Sequence, residues 1–366
     1  MNYLPDHPGL PIEILSGCFR NRTNSYKFYW FLAILEHLGE NKDNYISFRQ
    51  LTMSMLSTAW YPLTYYKLSF GKQDSFKNLA MEVSKHLIVD CSPKSDGLKQ
   101  QMTKKLNATT LNKLERHISE TLKRWVAYRF LRPFLRAQLN AADDSDVNEH
   151  IRAYSEANPG YFPYCFSKDG ITIDPMWAEY FQTNKHILTG FIHWHLVKFL
   201  QSNNPNVIGL SEKLNKPIER DLNKVTKYWH QYIKANPINC VYSNQPLDPT
   251  SISMDHFVPW SYIAHDQIWN IIPTSKAINS SKSNILPSTS LYLATYSKLQ
   301  FSFVQFFMTS KDNQILEDYR VLFKTNNLHE ISYESFHVRL EEEINMHCRS
   351  AANLGFGLDY VWSNKI

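Results

Sequence analysis

The chain has 366 residues, 43% of them hydrophobic and 20% charged, with a formal net charge of +5 at neutral pH. That length is ample for a buried core and suits two packed units better than one, while no apolar run comes near the eighteen or so residues that a membrane span needs. The five cysteines, Cys18, Cys91, Cys165, Cys240 and Cys348, stand far apart in no paired spacing, which argues against a disulfide framework or a Cys-only zinc site.

The opening MNYLPDHPGLPIEIL carries no basic segment followed by an apolar one, so no secretory leader is expected and a cytoplasmic protein is the default. From Asn24, NSYKFYWFLAILEHLG predicts a helix with a polar start and Gly39 as its stop. Its crowded aromatics, Tyr26 to Phe31, read as core filling rather than as a platform for bases. Further helices are expected in ISFRQLTMSMLSTAW, in SFKNLAMEVSKHL and in TTLNKLERHISETLKRWVAYRFL, the last ending before Pro133. Between Lys94 and Arg136 eleven cations face only Asp96, Glu115 and Glu120. Such a run could follow a phosphate backbone through counterion release, or simply solvate a helix face. Lys104, Lys105, Lys113, Arg116, Lys123 and Arg124 are its candidate nucleic-acid contacts.

In YFPYCFSKDGITI, residues 161 to 173, aromatic and β-branched residues flank Lys168-Asp169-Gly170, the signature of a short hairpin. Helices resume in ILTGFIHWHLVKFL and in IERDLNKVTKYWHQYIKA, with Pro217 expected in the first turn of the latter. His193 and His195 are two apart and would point to different helix faces, so they cannot share a metal. SNNPNV near residue 204 and ANPINC near residue 237 read as loops.

The chemistry concentrates after residue 250. Ile252 and Met254 alternate with polar neighbours, predicting a short strand that carries Asp255 and His256 to its end, and Pro259 opens a loop. IWNII is the second strand candidate, and Thr274 or Ser275 can cap a following helix on which Asn279 and Lys282 share a face. Asn270 lies fourteen residues after His256, Asn279 nine beyond it and Lys282 three further. Packed across the hairpin, the helix would bring Asn279 toward Asp255. A carboxylate and an amide oxygen are the hard donors that Mg²⁺ prefers, and an imidazole titrating near neutrality can take a proton from an attacking water. Lys282 could add positive charge near a phosphate, and Asn270 could fix the loop.

The order DHFVPW, Asn270 and INSSKSNILPS resembles the HNH endonuclease motif of the ββα-metal fold, and within it the form found in RNA-guided CRISPR nucleases. The resemblance implies that His256 is the general base, that Asp255 and Asn279 hold one Mg²⁺, with Mn²⁺ able to substitute, and that Asn270 organises the loop. It covers roughly residues 238 to 290. Two features depart from the pattern: Cys240 is followed by Ser243 where many relatives carry the second cysteine of a zinc half-site, so no structural zinc is expected, and Ser253 stands where an additional acidic residue is common.

The expected architecture is therefore mainly α with a small α+β unit. Residues 1–235 would form a helical region for substrate or partner engagement, 236–290 the nuclease module, and 291–366 a helical extension packed on it. The expected partner is DNA, with RNA a chemically open alternative and an activating protein partner compatible with the motif. Stand-alone proteins of this kind serve in bacterial restriction or antiphage defence. Two rival readings accompany it: an RNA-cleaving defence toxin, and a non-catalytic subunit that binds nucleic acid without cutting it.

Overall fold

The structure, a computed structural model, describes residues 4–20, 23–41, 43–135 and 144–363; Arg136, the last cation of the basic run, lies outside them. The chain is mainly helical, with two small antiparallel sheets. It divides into two compact units, one of residues 1–205 and 210–217, the other of residues 206–209 and 218–366.

The first unit is built on the helix Tyr26–Glu40, which is buried on nearly every side: Tyr29, Trp30, Phe31 and Ile34 have no exposed surface. Phe31 packs against Phe130 and Phe181, with ring centroids 5.7 and 5.0 Å apart, so its aromatics do fill the core. Gly39 does not end this helix, which runs one residue further before Asn41 turns extended. A glycine within a helix costs only about 1 kcal/mol relative to alanine, so by itself it is a weak stop.

The second helical stretch also begins later than its sequence suggests. Tyr45–Ser47 form a strand, β1, and Phe48–Trp60 the helix, with Ser47 as its cap: Gln50 N–H donates to Ser47 Oγ at 3.2 Å while Gln50 Oε1 accepts from Ser47 N–H at 3.0 Å. The hairpin is present as β2 (Tyr164–Ser167) and β3 (Gly170–Ile173), and β1 pairs along β3 to complete a sheet of order β1-β3-β2. Gly170 is required there, because a Cβ would collide with the Ile46 carbonyl across the pair. The long helix Ala108–Leu131 gives way to a 3₁₀ turn, Arg132–Leu135, that accommodates Pro133.

In the second unit the helix Asn223–Ala235 starts six residues after Pro217, which stays outside it. Asp221 sets the start instead, its carboxylate accepting from the Asn223 N–H at 2.9 Å. This helix, the helices Thr289–Met308 and Tyr333–Asn353, and a ββα element share one core that includes Trp229, Phe257, Tyr296, Phe303, Tyr319 and Leu340. In that element β4 (Ile252–His256) runs antiparallel to β5 (Ile271–Ser275), with Asp255 opposite Ile272 and His256 opposite Ile271, and the helix Lys276–Lys282 follows directly. Of the predicted IWNII strand, Ile268–Asn270 instead form a 3₁₀ turn, because the Asn270 side chain is used to close the loop. No helix among the described residues is long and apolar enough to cross a membrane.

Candidate active site

The ββα element places the motif residues by ordinary local rules. Burial along β4 does not alternate: its first three residues are half-buried, and Asp255 and His256 at its end, which point to opposite faces of the strand, are both buried, 3% and 5% exposed. Ser275 caps the helix, its Oγ accepting from the Ile278 N–H at 3.3 Å, and the turn it starts presents Asn279 to β4. Asn279 Nδ2 donates to Ser253 Oγ at 2.8 Å and to the Met254 carbonyl at 3.0 Å. Between the strands, the fourteen-residue loop 257–270 is pinned by Asn270, which is wholly buried. Its side chain accepts from Val258 N–H and donates to Val258 C=O, both at 2.9 Å, while its own carbonyl accepts from Phe257 N–H.

The helix Thr289–Met308 braces the end of this loop and the start of β5: Tyr296 OH donates to the Trp269 carbonyl and Gln300 Nε2 donates to the Ile271 carbonyl at 3.1 Å.

Asp255 accepts on both oxygens, from Tyr242 OH at 2.6 Å and from Lys282 Nζ at 3.1 Å. Burial, reinforced by this carboxylate, pushes the Tyr242 phenol well above its ordinary range, so it stays a donor. Lys282, the candidate for charge near a phosphate, has no exposed surface; its ammonium is engaged by Asp255 and by the His256 carbonyl at 2.7 Å. A buried carboxylate needs such a counter-charge.

The His256 ring is held on both nitrogens. Its Nε2 lies 2.7 Å from Asp266 Oδ1, and Arg220 Nη1 lies 3.1 Å from Nδ1 and 3.3 Å from Nε2. One assignment satisfies both partners: Nε2–H donates to the carboxylate, and Nδ1 is the lone-pair nitrogen that accepts from the guanidinium. Burial is the largest influence on His256 and pulls its pKa below the usual histidine value, against the Asp266 hydrogen bond that raises it; the Arg220 charge lowers it again. Arg220 also pairs with Asp266 at 3.6 Å and lies over the Trp260 ring at 5.0 Å. Sequence reasoning passed over Asp266, Arg220 and Tyr242. Asp266 could have been found as the one acid between His256 and Asn270, but Arg220 is thirty-six residues before His256 and carries no local signal.

The donor set suits a hard divalent cation in its chemistry: one carboxylate and one amide oxygen on neighbouring elements. A carboxylate offers about four lone-pair sites, so two hydrogen bonds do not exhaust Asp255 as an acceptor, and Asn279 Oδ1 accepts from no described residue. Among the described residues no group of three or more His, Cys, Asp or Glu could hold a metal ion, so a cation here would depend on water and substrate oxygens. Cys240 is buried with Sγ 3.2 Å from Thr274 Oγ1.

The candidate nucleic-acid contacts lie elsewhere, in the first unit. Lys104, Lys105, Lys113, Arg116 and Arg124 are exposed and Lys123 half-buried. Lys104 pairs with Asp96 at 2.6 Å and Arg116 with Glu120 at 3.0 Å, while Lys123 and Arg124 lie over the rings of Phe48 and Trp125.

Residues 240–288 match the family model described as HNH endonuclease. The match spans 49 of the 366 residues and supports a nuclease-like function in general. No curated protein and no solved structure matches the chain.

Proposed function

We propose that the chain is a metal-dependent endonuclease that hydrolyses phosphodiester bonds in DNA. The observation that carries this reading is the pair of bonds on His256. With Nε2–H held by Asp266, the lone pair of Nδ1 stands at the end of β4, one residue from the Asp255 carboxylate and on the strand that the Asn279 amide grips.

A water seated at Nδ1 gives its proton to the ring as its oxygen attacks phosphorus, and the bond to the 3′ oxygen breaks with its electron pair. Asp266 fixes the tautomer and orientation of the ring and stabilises the imidazolium that forms. Asp255 and Asn279 would hold a Mg²⁺, which when bound stabilises charge on the phosphate and the leaving oxygen. Lys282 and Tyr242 keep Asp255 in place, and Asn270 holds the loop that carries Asp266. Arg220 occupies the Nδ1 lone pair at rest; a phosphate oxygen is a better partner for a guanidinium than a neutral imidazole, so substrate entry would draw Arg220 away and free the base.

The test is incubation of wild-type, His256→Ala and Asn279→Ala protein with supercoiled plasmid, single-stranded DNA and total RNA, in Mg²⁺, Mn²⁺ or EDTA. Wild type should cut DNA only with metal, and both variants should lose at least about a hundredfold in rate. Full cleavage by His256→Ala would remove that residue from the mechanism, and cutting confined to RNA would overturn the substrate.

A further inference from the structure

A cavity of about 850 Å³ opens in the first unit, far along the chain from the motif, between the turn after the helix Ile12–Gly17, the start of the helix Tyr26–Glu40 and the end of the helix Ala108–Leu131. Four cations line it, Arg20, Lys27, Arg129 and Arg132, with Glu13 the one carboxylate among the described lining residues. Its volume falls in the range of small-ligand sites. Burial pulls Lys27 below the ordinary lysine range; Cys18 opposes this, and the charges of Arg132 and Arg129 lower it further, so these cations share one field.

The described walls are tied into the core of the first unit. Cys18 Sγ donates to the Phe130 carbonyl at 3.4 Å, and Phe19 packs its ring against Phe28, Phe31 and Phe130 with centroids 5.9, 5.5 and 5.7 Å away. Lys27 Nζ donates to the Cys18 carbonyl at 3.4 Å, which holds the ammonium at the wall, and Arg129 lies over the Trp125 ring at 5.1 Å. A concave surface that gathers like charges focuses potential and favours a ligand with several adjacent negative charges.

We propose that this cavity binds a nucleoside polyphosphate, its phosphates taken by Arg20, Lys27, Arg129 and Arg132. Four cations around one small cavity match the charge density of a polyphosphate chain better than a strand that offers one phosphate per nucleotide. Ile14, Pro133 and Trp125 supply the less polar lining against which a base can rest.

Calorimetric titration of the full chain in EDTA, where no strand is cut, tests this with ATP, GTP, inorganic tripolyphosphate and a 5′-phosphorylated oligonucleotide. A nucleoside triphosphate should bind saturably, at least about tenfold more tightly than tripolyphosphate, and Arg132→Gln or Lys27→Gln should each weaken it by about tenfold or more. Arg20→Ser changes an exposed side chain and carries the same expectation if a more buried variant fails to fold. Absence of saturable nucleotide binding at about 1 mM, equal binding of tripolyphosphate, preference for the oligonucleotide, or unchanged affinity in the folded variants would each overturn the assignment.

Discussion

His256 can act as a base only while neutral, and its two neighbours move that condition in opposite directions. Arg220 lowers the pKa and Asp266 raises it. In the neutral ring the base is available above the pKa, so the acid limb of the rate profile follows that pKa. Arg220→Gln should therefore shift the limb to higher pH. Asp266→Asn should shift it to lower pH while costing roughly 10- to 100-fold in rate through loss of ring orientation. Cleavage rates between about pH 5 and 8 read both, and limbs that move together would break the assignment of the two partners. At this scale the motif residues were legible because Asp255, His256, Asn270, Asn279 and Lys282 lie within one short run with strand and helix spacing. Their partners were not. Arg220 joins the site only through the fold, and Tyr242, in CVYS, looks like any core aromatic until its hydroxyl is seen on Asp255.

The ββα element depends on a few side chains that act as fasteners. Asn270→Ala removes both bonds to Val258 at a wholly buried position, and should cost about 2–4 kcal/mol in urea unfolding, counting the two unsatisfied backbone groups. Lys282→Ala leaves the Asp255 carboxylate buried beside Tyr242 alone and should cost about 3–5 kcal/mol. A loss below about 1 kcal/mol would mean that Asp255 is relieved by another group. Period and turn chemistry made β4, the 161–173 hairpin and most helices readable. Two misplacements fell where a side chain overrules a local rule: Asp221 rather than Pro217 begins the helix Asn223–Ala235, and Asn270 turns Ile268–Asn270 away from the strand that its apolar neighbours suggest.

Across the whole chain, the basic helix Ala108–Leu131 offers Lys113 and Arg116 to solvent. If it engages duplex backbone, Lys113→Glu with Arg116→Glu should weaken DNA binding at every sequence alike and flatten the dependence of log affinity on log salt by about 2. Fluorescence anisotropy across a salt series measures this, and an unchanged slope would leave the helix as a solvated face. The division of the second unit carries a different consequence. The stretch that matches the endonuclease family model ends at residue 288, yet Gln300 and Tyr296 hold the backs of Ile271 and Trp269, and Arg220 reaches His256 from the other side. A transplant confined to the matched stretch would leave those carbonyls and the imidazole without their supports. The portable piece, in engineering or in gene exchange, is the whole second unit, residues 206–209 together with 218 onward, and insertions within it should be tolerated at its edges rather than at the borders of the recognisable motif.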